Sequence, residues 1–466
     1  MQFVRQAIGL LFLVLAVQVL PAAPDSYSID EAVAAADAHN PDVAIARKKV
    51  EASRGGLITA RSGFLPSVVS TGLLRQRQHQ TDSRLRDEDY SADVRVIQSL
   101  YTGGAVTSQL AIARLNLEKQ ELELKAVSNR VAMDVRVAFN ELLLNRAKVR
   151  VHEQSLGVLE QELKTQQERL GAGLVGQLNV HRAEVAVANE KTEVIDAQTQ
   201  VNNSYLRLTE LLGRDTDPKA TKPVWDVTGQ LQYAAIRPDL NSCLARADTT
   251  RPELQSRLKD VEIERWQETL DRSEMRPQVE AFSGYELYNE RDPAVGPEFN
   301  HGYVFGLNAR WHIFDGYATK GKLIATRARL EAAEQAVAAM RLSVSSEVRS
   351  AFLDLQQSDR LLEAETKSVQ TADESLEIAK ANVGAGLATQ LDILQAAADV
   401  TRTRTTRLNG IYLHNAALAK LARACATSPD TLGFGAKRQA RAGAAGAKND
   451  PAAAEMARPP QKLSQK

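Results

Sequence analysis

The side chains able to do chemistry are few and scattered. Seven histidines stand at His39, His79, His152, His181, His301, His312 and His414, and no HExxH unit sets two of them on one helical face beside a glutamate, as a zinc hydrolase requires. The two cysteines, Cys243 and Cys425, form no CxxC pair for redox exchange or metal capture. No GxxxxGK[ST] loop is present to cradle phosphate, and five methionines are too few for a relay of soft-metal sites. Neither catalysis nor a cofactor is expected, and isolated histidines read as surface or seam positions. Lys and Arg number 58 against 58 Asp and Glu, so no charge excess points to a nucleic acid partner. What the sequence offers instead is one peptide used twice: GAGLVGQL at 171–178 and GAGLATQL at 384–391, 213 residues apart.

Those peptides sit inside a longer repeat. DVRVAFNELLL (134–144) aligns with EVRSAFLDLQQ (347–357) at the same offset, pairing Val135 with Val348, Phe139 with Phe352 and Leu142 with Leu355. LYTGG (100–104) aligns with IFDGY (313–317), and Pro66 falls 211 residues before Pro277. The chain reads as a tandem duplication: a first repeat over 28–213, a linker over 214–240 and a second repeat over 241–426. Each repeat holds a helix, a strand pair (66–101 and 277–314) and a helical hairpin (104–213 and 316–426). The tail, 427–466, is rich in Ala, Gly, Lys and Pro and lacks the apolar residues a packed core needs.

Periodicity and length say what the elements are. Leu124, Val127, Val131, Val135, Ala138 and Leu142 recur every three or four residues, as do Leu330, Ala333, Val337, Met340, Val344, Val348 and Ala351, the spacing of coiled-coil seams. Gly104 to Leu170 runs 67 residues without proline, roughly 100 Å as a helix. The helix from Pro41 to Ser62 and the return helix from Gln177 to Gly213 are short enough to lie end to end along it. An aromatic share of only 5% suits such thin rods better than a thick globular core.

The strand stretches carry a different period. Along 303–313, Tyr303, Phe305, Leu307, Ala309, Trp311 and Ile313 alternate with Val304, Gly306, Asn308, Arg310 and His312. One apolar and one polar face, over about ten residues per strand, suits a transmembrane barrel. A half-buried strand pair in a soluble sandwich would show the same alternation. Two hairpins cannot close a barrel alone, because open edges leave backbone groups unpaired in lipid, so oligomerisation is expected. At the N-terminus Arg5, an apolar run from Ala7 to Leu20 and Pro21-Ala22-Ala23 have the layout of a secretory signal peptide over 1–23. No cysteine closes that run, so no lipoprotein anchor is expected.

Taken together, the signal segment, the two halves of helix, strand pair and hairpin, the FDG after the last strand and the Gly-Leu peptide at each hairpin turn resemble the TolC-like outer-membrane efflux proteins. The resemblance implies a mainly α fold with a small β part. In it, four strands per chain contribute to a twelve-stranded transmembrane barrel in a homotrimer, and the hairpins form an α-barrel tunnel through the periplasm. It implies a channel in the cell outer membrane that serves as exit duct of a tripartite efflux or type I secretion system, reached from an inner-membrane pump through a periplasmic adaptor. A periplasmic adaptor and an exported coiled-coil protein are the alternatives. The first normally has one hairpin and small β domains, and the second leaves the alternating strands unexplained.

The resemblance also assigns residues. Ala172, Gly173, Leu174, Ala385, Gly386 and Leu387 become adaptor-docking tips, although glycine caps with seam-filling leucines would use the same sequence. Asp392, opposite Asn179 in the first repeat, is placed at the tunnel entrance, where three copies would form an acidic ring favouring cations. The alternative for Asp392 is a helix-terminal residue favoured by the dipole. Tyr303, Phe305, Leu307 and Trp311 are expected to face lipid. Cys243 and Cys425 fall where helices meet midway along the rod, and they either pair in an oxidising compartment or remain two buried thiols.

Overall fold

The computed structural model of the chain describes residues 26–76, 87–214, 225–290, 292, 294–295 and 299–427. The expected signal segment, most of the tail and parts of the loops at 77–86 and 215–224 lie outside them. The first half runs β1 (Ser26–Tyr27), α1 (Ile29–His39), α2 (Pro41–Ser62), β2 (Ser67–Gln76), β3 (Glu88–Tyr101), α3 (Ala105–Gly171) and α4 (Gln177–Leu211). The second runs β4 (Asp226–Val227), α5 (Leu240–Thr250), α6 (Pro252–Ser273), β5 (Gln278–Asn289), β6 (Phe299–Arg310), α7 (Ala318–Gly384) and α8 (Gln390–Ala424). Both ends of α3 and α7 are displaced by 213 residues, and both ends of α2 and α6 by 211.

Local signals account for most boundaries. Pro41 sits in the first turn of α2, where its missing N–H costs nothing. Asn40 ends α1 and starts α2 at once, its Oδ1 accepting from the Asp42 N–H at 2.9 Å. Helix α1 adds a second helix to the one expected before the first strand pair, and Ser28 and Glu31 form a capping box at its start. Helices α3 and α7, 67 residues each, extend roughly 100 Å at about 1.5 Å per residue. The seam positions behave as their spacing requires: Val131, Val135, Ala138 and Leu142 on α3, and Val337, Val344, Val348 and Ala351 on α7, are buried.

Two cores sit near the middle of the long helices. In the first, Tyr27, Phe139, Tyr205 and Trp225 pack with aliphatic residues of α1, α3 and α4. In the second, Cys243 and Cys425 pack among the small and aliphatic residues of α5, α7 and α8. Farther toward the hairpin turns, Leu159, Val187, Leu376, Ile393 and Val400 join all four hairpin helices.

At the opposite end, β2, β3, β5 and β6 form one antiparallel sheet in that order, so the β3–β5 pairing joins the two halves. The first pair keeps the outer bounds read from sequence to within a residue, whereas the second ends early. In particular β6 stops at Arg310, and Trp311 lies beyond it with its indole N–H donating to the Met275 carbonyl at 3.0 Å. Trp311 is therefore an exposed aromatic at the sheet's helical end rather than a strand residue. The alternating pattern continued past the point where the backbone leaves its partner.

Candidate docking tips, entrance and membrane sheet

Each hairpin turns on the same backbone device. At the end of α3 the Gly173 N–H donates to the Leu170 carbonyl and the Leu174 N–H to the Arg169 carbonyl, both at 2.9 Å. At the end of α7, Gly386 and Leu387 repeat those bonds to Val383 and Asn382. This is the Schellman geometry, and it puts Gly173 at φ 73° and Gly386 at φ 75°, where a Cβ is disfavoured. Such a motif commonly tucks the following apolar residue against the helix it ends. Here Leu174 and Leu387 are 75% and 80% exposed. They do not fill the seam of their own chain, and the cap needs no leucine. Leu178 and Leu391, in the first turn of the return helices, are exposed as well. Each tip thus presents two leucines four residues apart. The sequence reading missed this second pair, although the LxxxL spacing was available.

Asn179 and Asp392 differ in more than charge. Helix α4 begins at Gly176 without a side-chain cap, whereas Asp392 Oδ2 accepts from the Thr389 N–H at 2.7 Å and the Thr389 hydroxyl at 2.8 Å. Those bonds hold the Asp392 carboxyl below its ordinary range, so it stays ionised. The side chain is exposed on the groove between α7 and α8. Asp399, seven residues on, lines the same groove but is paired with Arg402 at 2.6 Å.

Register sorts the sheet into two faces. One carries Leu74, Val68, Val94, Val96, Tyr285, Leu287, Tyr303, Phe305 and Leu307, with Tyr303 87%, Phe305 82% and Leu307 69% exposed. The other carries the charges. There Arg75 pairs with Asp89, Arg95 lies 3.3 Å from both Asp93 and Glu286, and Asn308 donates to Glu280 at 2.8 Å. Residues alternate faces along a strand, so cross-strand pairing stacks like on like. The first half's less regular stretch, SVVSTGLLRQ, stays mixed once its register is fixed: Val68 and Leu74 lie on the apolar face, but Val69 and Leu73 lie beside Arg75 on the other. Strands β2 and β6 leave open edges in one chain. Among the described residues no helix is long and apolar enough to cross a membrane.

Cys243 and Cys425, the first on α5 and the second at the C-terminal cap of α8, are buried thiols packed together. Contact with Cys243, and then burial, push the Cys425 thiol up.

The sheet, with one face largely apolar and the other carrying the charges, is joined by rods about 100 Å long to glycine-capped turns. The chain belongs to the family described as Outer membrane efflux protein, whose profile matches residues 32–214 and 244–427. The family comprises non-enzymatic transport ducts. Outer membrane protein TolC of Vibrio cholerae is 22% identical over 424 residues, covering 90% of this chain and 94% of that protein. Proteases secretion protein PrtF of Dickeya chrysanthemi is 25% identical over 174 residues, 36% of this chain, and the match spans only 37% of that protein's length. Among solved structures, the Campylobacter jejuni CmeC outer membrane channel superposes with a TM-score of 0.73 at 14% identity, covering 85% of each chain.

Proposed function

We propose that three copies of this chain close their open strand edges into one twelve-stranded barrel and their hairpins into a continuous tunnel. This duct carries cargo from an inner-membrane pump across the periplasm to the exterior, with a periplasmic adaptor seated on the tips. The N-terminal apolar segment, 1–23, directs export. The observation that carries this reading is the separation of two unlike surfaces by the length of α3 and α7. A lipid-type face lies at one end, and exposed leucine pairs at Leu174/Leu178 and Leu387/Leu391 lie at the other. Neither surface is satisfied within one chain, and apolar area left in water costs about 25 cal/mol per Å². Asp392 supplies a ring of three carboxylates at the entrance, while Asn179 contributes a neutral neighbour.

Outer-membrane fractions should contain a heat-modifiable trimer. Replacing both Leu174 and Leu387 by Arg should abolish transport while trimer yield stays normal; unchanged transport would remove the tips from the docking role. Deleting the gene and recording whether drugs, dyes, metal ions or a secreted protein accumulate would then identify the cargo class.

A further inference from the structure

The two thiols have a counterpart in the first repeat that shows what they replace. Subtracting the repeat offsets of 211 and 213 carries Cys243 onto Ala32 and Cys425 onto Leu212. Ala32 and Leu212 are both fully buried in the first core, packed among Tyr27, Tyr205 and Trp225. That core is closed further by the two-residue parallel pair β1–β4, in which Ser26 pairs with Asp226 and Tyr27 with Val227. The second core contains no aromatic residue among its buried members, and no strand pair closes it among the described residues. At this place the second repeat holds two cysteines side by side. They belong to the helix that opens the repeat and the helix that ends it.

The end of α8 is also less well made than the end of α4. Helix α4 finishes on Gly213 at φ 64°, while α8 finishes on Ala426 at φ 49°, a left-handed angle that costs an alanine about 1 kcal/mol. The strained residue directly follows Cys425.

We infer that Cys243 and Cys425 are joined as a disulfide in the exported protein, a covalent clasp that closes the second repeat where the first relies on aromatic packing. The inference needs only an oxidising compartment outside the cytoplasm, and so rests on the export part of the proposed function. With both side chains buried, the bond forms before the core closes. One cysteine, as thiolate, attacks the disulfide of a dithiol–disulfide exchange protein, giving a mixed disulfide and releasing one oxidant thiolate. The second cysteine's thiolate then attacks the chain's own sulfur in that mixed disulfide and expels the other oxidant thiolate. The chain loses two protons and two electrons, and the oxidant's disulfide becomes a dithiol. The clasp joins positions 182 residues apart (243 to 425). Loops of that length gain the most from closure in the chain-entropy account.

The test takes full-length protein from outer-membrane fractions, denatures it in an alkylating maleimide with and without prior reductant, and counts labels by intact mass. No label without reduction and two after it are expected, together with faster migration of the unreduced, denatured chain. A parallel arm denatures the purified trimer and refolds it in oxidised or reduced glutathione, because the buried pair is out of reach of glutathione in the folded protein. It reads the pairing independently of where the cell puts the protein, so a chain absent from the outer membrane but unlabelled in oxidised glutathione refutes the location and not the clasp. The double variant Cys243→Ala with Cys425→Leu installs the first repeat's pair. It should still assemble, but its trimer dissociation temperature should no longer fall when reductant is added, whereas the wild-type value should fall by several degrees. Two labels on unreduced protein in both arms would overturn the clasp, as would a wild-type dissociation temperature indifferent to reductant.

Discussion

The two repeats share lengths, turns and helix boundaries, yet equivalent positions at their joints use different chemistry. At the joint between the short helices, the first repeat has Asn40, whose Nδ2 donates to the Leu211 carbonyl at 2.8 Å. The second has Arg251, only 3% exposed, whose Nη1 reaches the equivalent Ala424 carbonyl at 3.4 Å. Arg251 also bridges Glu253 at 3.2 Å and Glu347 at 2.5 Å, and Arg423 joins the same carboxylates. Beside the linker, Arg146 in the first repeat binds Asp226 and the Val227 carbonyl, the latter at 3.1 Å. Its equivalent is the opposite charge, Asp359, which accepts from the Tyr233 hydroxyl at 3.2 Å and lies 2.8 Å from His414 Nδ1. His414 Nε2 faces the Ala234 carbonyl at 3.0 Å and so must donate to it. The linker is therefore strapped to both halves, by a cation on one and by a carboxylate with an imidazole on the other. Duplication preserved the geometry the rods need while each joint found its own way to satisfy the same backbone carbonyl.

The contrast predicts unequal costs. The largest should come from Arg251→Ala, which removes the buried cation and leaves Glu253 and Glu347 held by Arg423 alone, and should destabilise the chain by about 3 kcal/mol. Asn40→Ala, which loses a neutral cap, should cost about 1 kcal/mol. Denaturant midpoints of the two variants measure this, and equal costs would erase the distinction between an ionic and a neutral joint.

On the sheet the repeats should instead behave alike. Leu307 and its equivalent Val94 share the apolar face. Replacing either by Arg should lower trimer yield in membranes, by roughly 2 to 4 kcal/mol of insertion energy at midplane. Normal yield from both variants would count against the barrel.

The helix ends should respond in opposite directions. A Cβ on Gly213 would lie 2.3 Å from the His39 carbonyl oxygen, so Gly213→Ala should cost on the order of 2 kcal/mol. Ala426→Gly relieves a strained angle and should add up to about 1 kcal/mol. Thermal melting that shifts both variants the same way would contradict this.

The smallest effect concerns the tips. The Asp392 carboxyl is lowered in the folded chain by the bonds from Thr389. Its contribution to capping α8 is therefore fully present above the ordinary carboxylate range and is lost as pH falls through the lowered value. Once corrected for the intrinsic pH dependence of exchange, amide protection at the start of α8 should fall in acid, while protection at the start of α4, which has no side-chain cap, should not change. In planar bilayers, Asp392→Asn should weaken cation selectivity and block by trivalent cations, most visibly at low salt. Identical selectivity in the two proteins would leave Asp392 a capping residue alone.

Much of this molecule is legible in its sequence. The seam residues from Val131 to Leu142, the 67-residue helices, the glycine turns and the alternation at Tyr303, Phe305 and Leu307 are read along one element at a time. The start of helix α1 is legible from Ser28 and Glu31, although its Ala-rich run carries little periodicity. The end of β6 was not legible, since alternation continues through Trp311 after the ladder has stopped.

The sequence by itself determined the repeat, the rods, the turns and the two-faced strands, because side-chain period and backbone conformation are coupled within each element. Only the tertiary structure decided that Arg251 meets Glu347, that Arg146 and Asp359 strap one linker, that Cys243 lies against Cys425 and that Leu174 is left uncovered. Those pairings join residues far apart in the chain, and they depend on how far each rod slides and turns against its neighbours, which no period along a single helix records.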